Sequence, residues 1–273
     1  MQPNLFDIGP DPSPFYRWTG SKREYVQLLL SLLGSLRGKE YRECFLGGGA
    51  VALQVLADRS AARVVVNDSN ADLIATWRAL RDDPGQVILA YREHRERGSE
   101  DYYYTVRAMQ PIVAVERAAR FLYLIGAGHC GLWRENQSGK MNVPFGHACE
   151  LFTSYERLRD VAKLLRESRL EIYHGGFEKQ FEHATGSVIY ADPPYLPLDA
   201  SSFVAYGGKK FGPEQHRTLA SLAANCGGLV AISNHDTPLA REIYAGATVL
   251  AMNANRGFNA PEGAQEAVFI YGQ

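Results

Sequence analysis

The sequence has no excess of charge of either sign, and its few cysteines are not paired. The formal net charge is −1 over 273 residues, so no electrostatic field around the whole chain announces a nucleic-acid partner. Any DNA binding must therefore depend on local clusters of Arg and Lys. None of the four cysteines belongs to a C-x-x-C pair, which favours the reduced thiols of a cytoplasmic protein.

Long apolar runs and targeting segments are also missing. The longest apolar run, from about Leu28 to Leu36, is interrupted by Ser31 and Gly34 and is too short to cross a membrane. The first residues show no secretory signal peptide. We therefore expect a cytoplasmic protein without a membrane partner. Hydrophobic residues make up 46% of the chain, which is enough for a large core.

Short apolar segments alternate with helical periods near the beginning of the chain. Residues 41–46 lead into three glycines at 47–49, a helical pattern covers 50–58, and a buried-strand pattern over 63–68 closes on Asp68. Strand, glycine loop, helix, strand and acid, in that order, form the first half of a dinucleotide-type fold. The pattern therefore predicts an α/β protein with a Rossmann-like sheet.

The middle of the chain has a different character. Helical periods are long and aromatic residues are frequent from 70 to 150, which predicts an inserted, mainly helical lobe. The α/β pattern then returns, so residues 15–69 and 151–273 are predicted to form one catalytic domain. The proline-rich residues 1–14 are predicted to be a flexible leader.

The glycine loop is a weak signal on its own. Its spacing is not G-x-G-x-x-G and no lysine follows it, so a pyrophosphate cofactor is disfavoured. A tight turn without any ligand remains an alternative. Asp68 favours a ligand, because an acid at the end of the second strand of such a unit commonly holds a pair of ribose hydroxyls.

The sharpest signal is Asp192-Pro193-Pro194-Tyr195, which follows the strand pattern of 187–191. Two prolines could simply end a strand. That reading does not account for an acid before them and an aromatic after them at the carboxyl end of a strand, where open α/β sheets bind ligands.

These four residues suit the methylation of an amine. The adenine amine is a poor nucleophile because its lone pair is delocalised into the ring, and Asp192 with a nearby backbone carbonyl could accept both of its N–H bonds. The prolines fix φ at about −65° and hold the acceptors rigidly, while Tyr195 offers a flat face for a flipped base. In-line approach to a sulfonium then gains from orientation and preorganised charge. No metal and no covalent enzyme intermediate are needed.

Further motifs support this interpretation along most of the chain. These motifs are Trp18, Gly20 and Lys22; Glu43, Phe45, Gly47 and Gly49; Asp68; Asn142 to Gly146; and Ser233 to Thr237. With the D-P-P-Y motif they give the segment from Phe15 to Tyr271 a resemblance to the Dam-type adenine-N6 DNA methyltransferases, which usually have proline where this chain has Cys44.

The resemblance implies an S-adenosylmethionine-dependent methyltransferase sheet, a DNA-recognition lobe, a double-stranded DNA substrate and no metal. One lobe and one pocket suffice to flip one base, so we expect a monomer. Catalysis is assigned to Asp192, Pro193, Pro194 and Tyr195. By the same resemblance the cofactor-binding residues are Trp18, Lys22, Glu43, Phe45, Gly47, Gly49, Asp68 and Asp192.

The expected recognition loop departs from the family pattern. Relatives have a Tyr-Asn pair before Gly-Leu, and this chain has His129-Cys130 there. Arg134 survives and could read guanine bidentately in the major groove, while Leu132 could wedge into the base stack. Arg17 and Asn142 complete the residues assigned to DNA recognition. GATC is the expected site, as a hypothesis.

Two other functions remain as alternatives. A methyltransferase of RNA adenine or of protein glutamine usually carries Asn in place of Asp192 and has its motifs in another order. An inactive DNA-binding relative would not need Lys22, Asp68 and Asp192 together.

Two other kinds of site are disfavoured. A zinc site built from His129, Cys130, His147 and Cys149 matches no standard spacing. A hydrolase triad of Ser233, His235 and Asp236 is disfavoured because residues so close along a strand end cannot reach the required geometry.

Overall fold

The computed structural model describes residues 11–147, 151–167, 169–198, 211–252 and 266–272. The strands are β1 (Glu40–Glu43), β2 (Arg63–Asp68), β3 (Leu170–His174), β4 (Val188–Ala191), β5 (Leu229–His235), β6 (Thr248–Met252) and β7 (Glu266–Tyr271). The helices are α1 (Val26–Leu33), α2 (Ala50–Ala57), α3 (Ala71–Asp82), α4 (Pro84–Glu96), α5 (Glu100–Ala108), α6 (Ala114–Ala127), α7 (Tyr155–Glu167), α8 (Pro213–Asn225) and α9 (Pro238–Ile243).

The strands form one sheet in the order β3-β2-β1-β4-β5-β7-β6. Strands β1 to β5 run parallel, and β7 is antiparallel to both β5 and β6. The strand order reverses between β1 and β4, and the register aligns Glu43 of β1 with Val66 and Tyr190 on its two sides. Ligands bind beyond the carboxyl ends of parallel strands at such a reversal, and both the glycine loop and D-P-P-Y begin there.

The predicted Rossmann-like α/β sheet is confirmed. All four residues of β4 are buried, as expected for a parallel strand covered on both faces. The predicted strand 41–46 is too long, because the sheet pairing of β1 ends at Glu43. Beyond it the backbone N–H of Cys44 still donates to the Tyr190 carbonyl at 3.0 Å, while the Cys44 carbonyl accepts from the Asn67 side chain at 3.0 Å.

Helices α3 to α7 lie between β2 and β3, so the middle of the chain is mainly helical, as predicted. Helix α6 is buried along residues 118–127, and it packs against α3 and α4. The buried Arg120 ties α6 to α5, since it donates to the carbonyls of Val106 and Arg107 at 3.0 and 2.8 Å. Helix α3 also packs against β2, β3 and α7, so it belongs partly to the layer that covers the sheet. The domain boundaries at 70 and 150 stay a prediction.

The predicted leader is described only in part, because residues 1–10 lie outside the described ranges. Residues 11–14 contact the rest of the fold: Arg157 of α7 lies 3.7 Å from the Asp11 carboxylate, and Pro14 lies beside Gly48. Within the described ranges, no helix is long and apolar enough to pass through a membrane.

Candidate active site

Asp192 follows β4 directly and contacts a lysine from the beginning of the chain. Lys22 is 7% exposed, and its Nζ lies 2.9 Å from Oδ2 of Asp192. Burial raises the pKa of the Asp192 carboxyl, and the charge of Lys22 opposes that rise. Oδ1 of Asp192 is buried and has no partner with standard hydrogen-bond geometry among the described residues, although the nearby Tyr195 side chain also helps to lower the pKa of the carboxyl. The carboxylate is therefore anchored by one oxygen and offers the other as an acceptor.

Lys22 joins two predicted parts of the site. Its Nζ also donates to the carbonyl of Gly20 at 2.9 Å and lies 4.9 Å from the centre of the Tyr195 ring. The N-terminal motif of Trp18, Gly20 and Lys22 and the D-P-P-Y motif are far apart in the sequence. They are brought together by the Lys22 amine.

Tyr195 is held by two residues from neighbouring strands. Its hydroxyl donates to Oε2 of Glu266 at 3.3 Å, and its ring meets the His235 ring edge-on with centroids 4.9 Å apart. Glu266 is 5% exposed, and sequence reasoning missed it. The available signal was an acid at the start of an otherwise apolar closing strand.

The carboxyl end of β5 holds the chain that follows D-P-P-Y. The backbone N–H of Leu196 donates to Oδ1 of Asn234 at 3.0 Å, and the carbonyl of Leu196 lies 2.7 Å from Nδ1 of His235. Ser233 contacts the Tyr190 hydroxyl at 2.9 Å, and Asp236 pairs with Arg241. Ser233, His235 and Asp236 therefore contact three different partners, and the hydrolase reading is wrong.

Asp68 organises the glycine loop. Its Oδ2 accepts from the backbone N–H of Gly47 at 2.9 Å, and its Oδ1 accepts from that of Asn70 at 2.8 Å. Burial raises the pKa of Asp68, and these backbone donors oppose the rise. Each oxygen has further acceptor capacity, so the carboxylate can hold the loop and a ligand hydroxyl at once.

Aromatic residues close around the same loop. The Tyr16 hydroxyl donates to the carbonyl of Gly47 at 2.7 Å and accepts from Nε1 of Trp77 at 2.9 Å. A Cβ at Gly47 would lie 2.8 Å from the Trp18 ring, and one at Gly49 would lie 2.4 Å from the Trp77 ring. Gly47 and Trp18, both predicted to bind the cofactor, are therefore in contact. Gly49, the third glycine of the loop, packs against the buried Trp77 ring instead.

Glu43 is a buried carboxyl at the end of β1. It accepts from the Tyr41 hydroxyl at 2.7 Å and from the backbone of Ala52 in the first turn of α2. Burial, with Asp192 and Asp68 nearby, raises its pKa to about 8, so it is mostly protonated at neutral pH. Glu43 thus links β1 to α2 besides its predicted contact with the cofactor.

Phe45 belongs to an aromatic cluster on the same edge of the sheet. Its ring stacks on Phe177 with centroids 5.5 Å apart and meets Phe211 edge-on at 5.3 Å. Phe177 follows β3, and sequence reasoning missed it. Its signal was an aromatic residue directly after two glycines at the carboxyl end of a predicted strand.

The four predicted DNA-recognition residues surround one loop. Nε of Arg134 donates to Oδ1 of Asn142 at 2.9 Å across a hairpin closed by a bridge between residues 135 and 141. Leu132 is 38% exposed, and the Arg17 side chain lies against Gly131. The Asn70 side chain donates to Glu135 of this hairpin at 3.4 Å, and its backbone N–H donates to Asp68. The hairpin, which we call the recognition hairpin because it carries the predicted DNA-recognition residues, is therefore linked to the loop at residues 47–49.

Cys130 has a backbone conformation that suits another residue. Its φ is 54° and its ψ is 21°, in the left-handed region that Asn tolerates better than most side chains. A cysteine in this conformation leaves local backbone strain in the loop.

We expect Cys130→Asn to stabilise the protein by about 0.5–1 kcal/mol, because the left-handed conformation then fits the side chain better. The measurement is chemical unfolding of both proteins. Cys226→Asn is the matched control, since Cys226 has φ −76° and gains nothing from this effect. An equal or lower stability of Cys130→Asn would contradict the strain.

The structure describes only three of the four residues of the disfavoured zinc site, because Cys149 lies outside the described residues. The ranges that are described contain no group of three or more His, Cys, Asp or Glu side chains able to hold a metal ion.

Comparison with known proteins decides the family. Residues 18–258 match the family of D12 class N6 adenine-specific DNA methyltransferases. The chain belongs to this family. It is 31% identical to the Type II methyltransferase M1.LlaDCHI of Lactococcus lactis subsp. cremoris over 89% of this chain and 88% of the relative.

Other relatives give the same picture. The DNA adenine methylase of Vibrio cholerae is 32% identical over 89% of this chain and 88% of its own length. That of Haemophilus influenzae is 32% identical over 90% of this chain and 87% of its own length. The predicted enzyme class, an adenine-specific DNA methyltransferase, is confirmed, and DNA is its substrate.

Proposed function

We propose that this DNA methyltransferase moves a methyl group from S-adenosylmethionine to N6 of an adenine flipped out of double-stranded DNA, and that it reads GATC or a related short site. The observation that carries the proposal is the Asp192 carboxylate. It sits where the strand order reverses, with Oδ2 bound to Lys22 and a buried Oδ1 that has no partner with standard hydrogen-bond geometry among the described residues. A buried acceptor without a partner is costly, and a substrate amine would satisfy it.

The residues around this carboxylate suit S-adenosylmethionine. Its sulfonium and ammonium groups are positive, and the carboxyls of Asp68 and Asp192 both lie at this edge, close enough to raise the pKa of Glu43. The Trp18 ring lies so close to Gly47 that a Cβ would not fit there. A flat aromatic surface therefore lies next to backbone without a side chain, where a cofactor could approach closely. We propose that Trp18, Lys22, Glu43, Phe45, Gly47, Asp68 and Asp192 hold the cofactor, which supplies the activated methyl group.

The protein side of the reaction is positioning and charge. Oδ1 of Asp192 accepts an N–H of the adenine amine and directs its lone pair, while Lys22 favours the charged form of the carboxylate against the effect of burial. Pro193 and Pro194 restrict the backbone that carries the second acceptor. Tyr195 stacks on the base, and Glu266 fixes the ring through its hydroxyl. Preorganised groups of this kind need no rearrangement at the moment of reaction.

Specificity is proposed to come from the recognition hairpin. Asn142 engages Nε of Arg134, and this orients the guanidinium so that its terminal nitrogens can read guanine bidentately. Leu132, exposed beside it, is suited to fill the space left by a flipped base, and Arg17 contacts the same loop from the N-terminal side.

Transfer of labelled methyl from S-adenosylmethionine to DNA, RNA and protein tests the activity, with a random-sequence duplex library read by single-molecule sequencing. We expect label in DNA, as N6-methyladenine within GATC. Label in RNA or protein would favour the related methyltransferases, and specific DNA binding without transfer would favour an inactive relative. Modified adenines outside GATC would overturn only the proposed site.

A further inference from the structure

A histidine from α8 lies beneath the D-P-P-Y motif. His216 is fully buried, at 0% exposure, and the Phe211 ring packs edge-on against its imidazole with centroids 4.7 Å apart. No part of the reaction described above uses this residue. A buried imidazole must nevertheless find hydrogen-bond partners for its two nitrogens.

The two nitrogens of His216 have different surroundings. Nδ1 lies 2.5 Å from the hydroxyl of the buried Tyr244. Nε2 is buried and meets no partner with standard hydrogen-bond geometry among the described residues, and the backbone of Pro194 is the polar group close to the ring. A tyrosine hydroxyl can donate to an unprotonated imidazole nitrogen, which leaves the hydrogen of the neutral ring on Nε2.

The ring is neutral under ordinary conditions, because burial lowers the pKa of His216 to about 4. It therefore provides one donor and one acceptor. The acceptor is used by Tyr244, and the donor is left for the carbonyl of Pro194.

We propose that His216 is a positioning residue for methyl transfer, whose Nε2–H donates to the Pro194 carbonyl and so fixes the backbone of D-P-P-Y. The inference rests on the proposed function, since it concerns the same motif. In a Pro-Pro pair φ is already restricted, so ψ is the remaining freedom. A hydrogen bond to the carbonyl of Pro194 removes much of that freedom.

The rest of the motif is held in a similar way by other elements. Lys22 anchors Asp192, Glu266 anchors Tyr195, and Asn234 anchors Leu196. Pro194 lies between Asp192 and Tyr195, and we propose that the His216 side chain anchors its carbonyl. The four anchors come from different parts of the chain, so the motif keeps its shape only when the whole fold is in place.

Two amide variants separate positioning from simple packing. His216→Gln can place an amide N–H where Nε2 is, whereas His216→Asn provides polar atoms near Nδ1 but cannot reach Pro194. Both put a neutral amide into the same buried site. Tyr244→Phe is a third variant, which removes the hydroxyl that selects the tautomer but leaves the imidazole.

The measurements are single-turnover methylation of duplex DNA, dissociation constants for S-adenosylmethionine and DNA, and the melting temperature. We expect His216→Asn to slow methyl transfer by about 10- to 100-fold, since small misplacements near a reacting centre have effects of this size. Both dissociation constants should change much less than the rate, because Trp18, Gly47 and Asp68 of the proposed cofactor site and Arg134 of the proposed DNA contact lie outside D-P-P-Y. His216→Gln should recover most of the rate, and Tyr244→Phe should fall between the two.

Equal rates for Asn, Gln and wild type would overturn the inference. So would equal losses in both amide variants, or rates that merely follow melting temperature. If one variant does not fold, the other two still decide, since each alters a different atom of the chain Tyr244–His216–Pro194. Failure of the proposed function is distinguishable, because the wild-type protein would then show no transfer to DNA, and the inference would fall with it.

Discussion

Replacing Asp192 with Asn is expected to reduce methyl transfer by about 100- to 1000-fold while the protein stays folded. The substitution keeps the size of the side chain but removes the charge that pairs with Lys22, and it makes one of the two acceptor atoms a donor. Loss of a single preorganised hydrogen-bond partner at a reacting group has effects of this magnitude. Single-turnover methylation of a duplex that contains the preferred site measures the effect.

The matched control is Asp58→Asn, because Asp58 is an exposed aspartate at the end of α2 whose carboxylate accepts from the Gln54 side chain on the same helix. It should methylate at the wild-type rate. Calorimetric titration with S-adenosylmethionine accompanies both variants and shows whether the site still forms. An Asp192→Asn protein that retained more than about a tenth of the activity would argue that Asp192 does not act on the amine, and a backbone carbonyl would then have to be the main acceptor.

The contiguous parts of this site could be predicted from the sequence because neighbouring residues carry them. β4 and Asp192 follow one another along the chain, so a buried apolar run that ends in an acid predicts both the strand and its ligand edge. The alternation of strands and helices likewise predicts a mostly parallel sheet covered by helices. The family assignment, confirmed by the comparisons, follows from these motifs and their order.

The anchors of the site could not be predicted in this way, because they depend on which elements become neighbours in space. Glu266 meets Tyr195 only because β7 inserts antiparallel beside β5. In the sequence, nothing distinguishes His216 from the other polar residues of α8. Only the structure shows that it is completely buried. Periodicity reports which face of an element is apolar, but it does not report which buried polar atoms will meet. Hydrogen bonds between distant elements therefore need the structure.

Gly49→Ala is expected to destabilise the protein by about 2–5 kcal/mol, the largest effect on stability that we expect from a single methyl group. Gly49 has a φ of 67°, which costs an L-residue about 1–2 kcal/mol. The added Cβ would also lie 2.4 Å from the benzo ring of Trp77, and forcing extra atoms into a packed core costs about 1–3 kcal/mol. Trp77 is completely buried and bonded through Nε1 to Tyr16, so its ring cannot easily move aside.

Gly38→Ala separates the two causes, because Gly38 has a φ of 76° with no atom within 4 Å of the added Cβ. Chemical unfolding should show a loss of only about 1–2 kcal/mol for this control. The double variant Gly49→Ala with Trp77→Phe tests the clash itself, since phenylalanine lacks the atoms that the new methyl group meets. Its cost should be smaller than the sum of the two single variants. Additive costs, or equal losses at Gly38 and Gly49, would show that Trp77 does not set the shape of the glycine loop. If the costs are instead subadditive, Trp77 sets the shape of the loop through Gly49, while Asp68 fixes its backbone through Gly47.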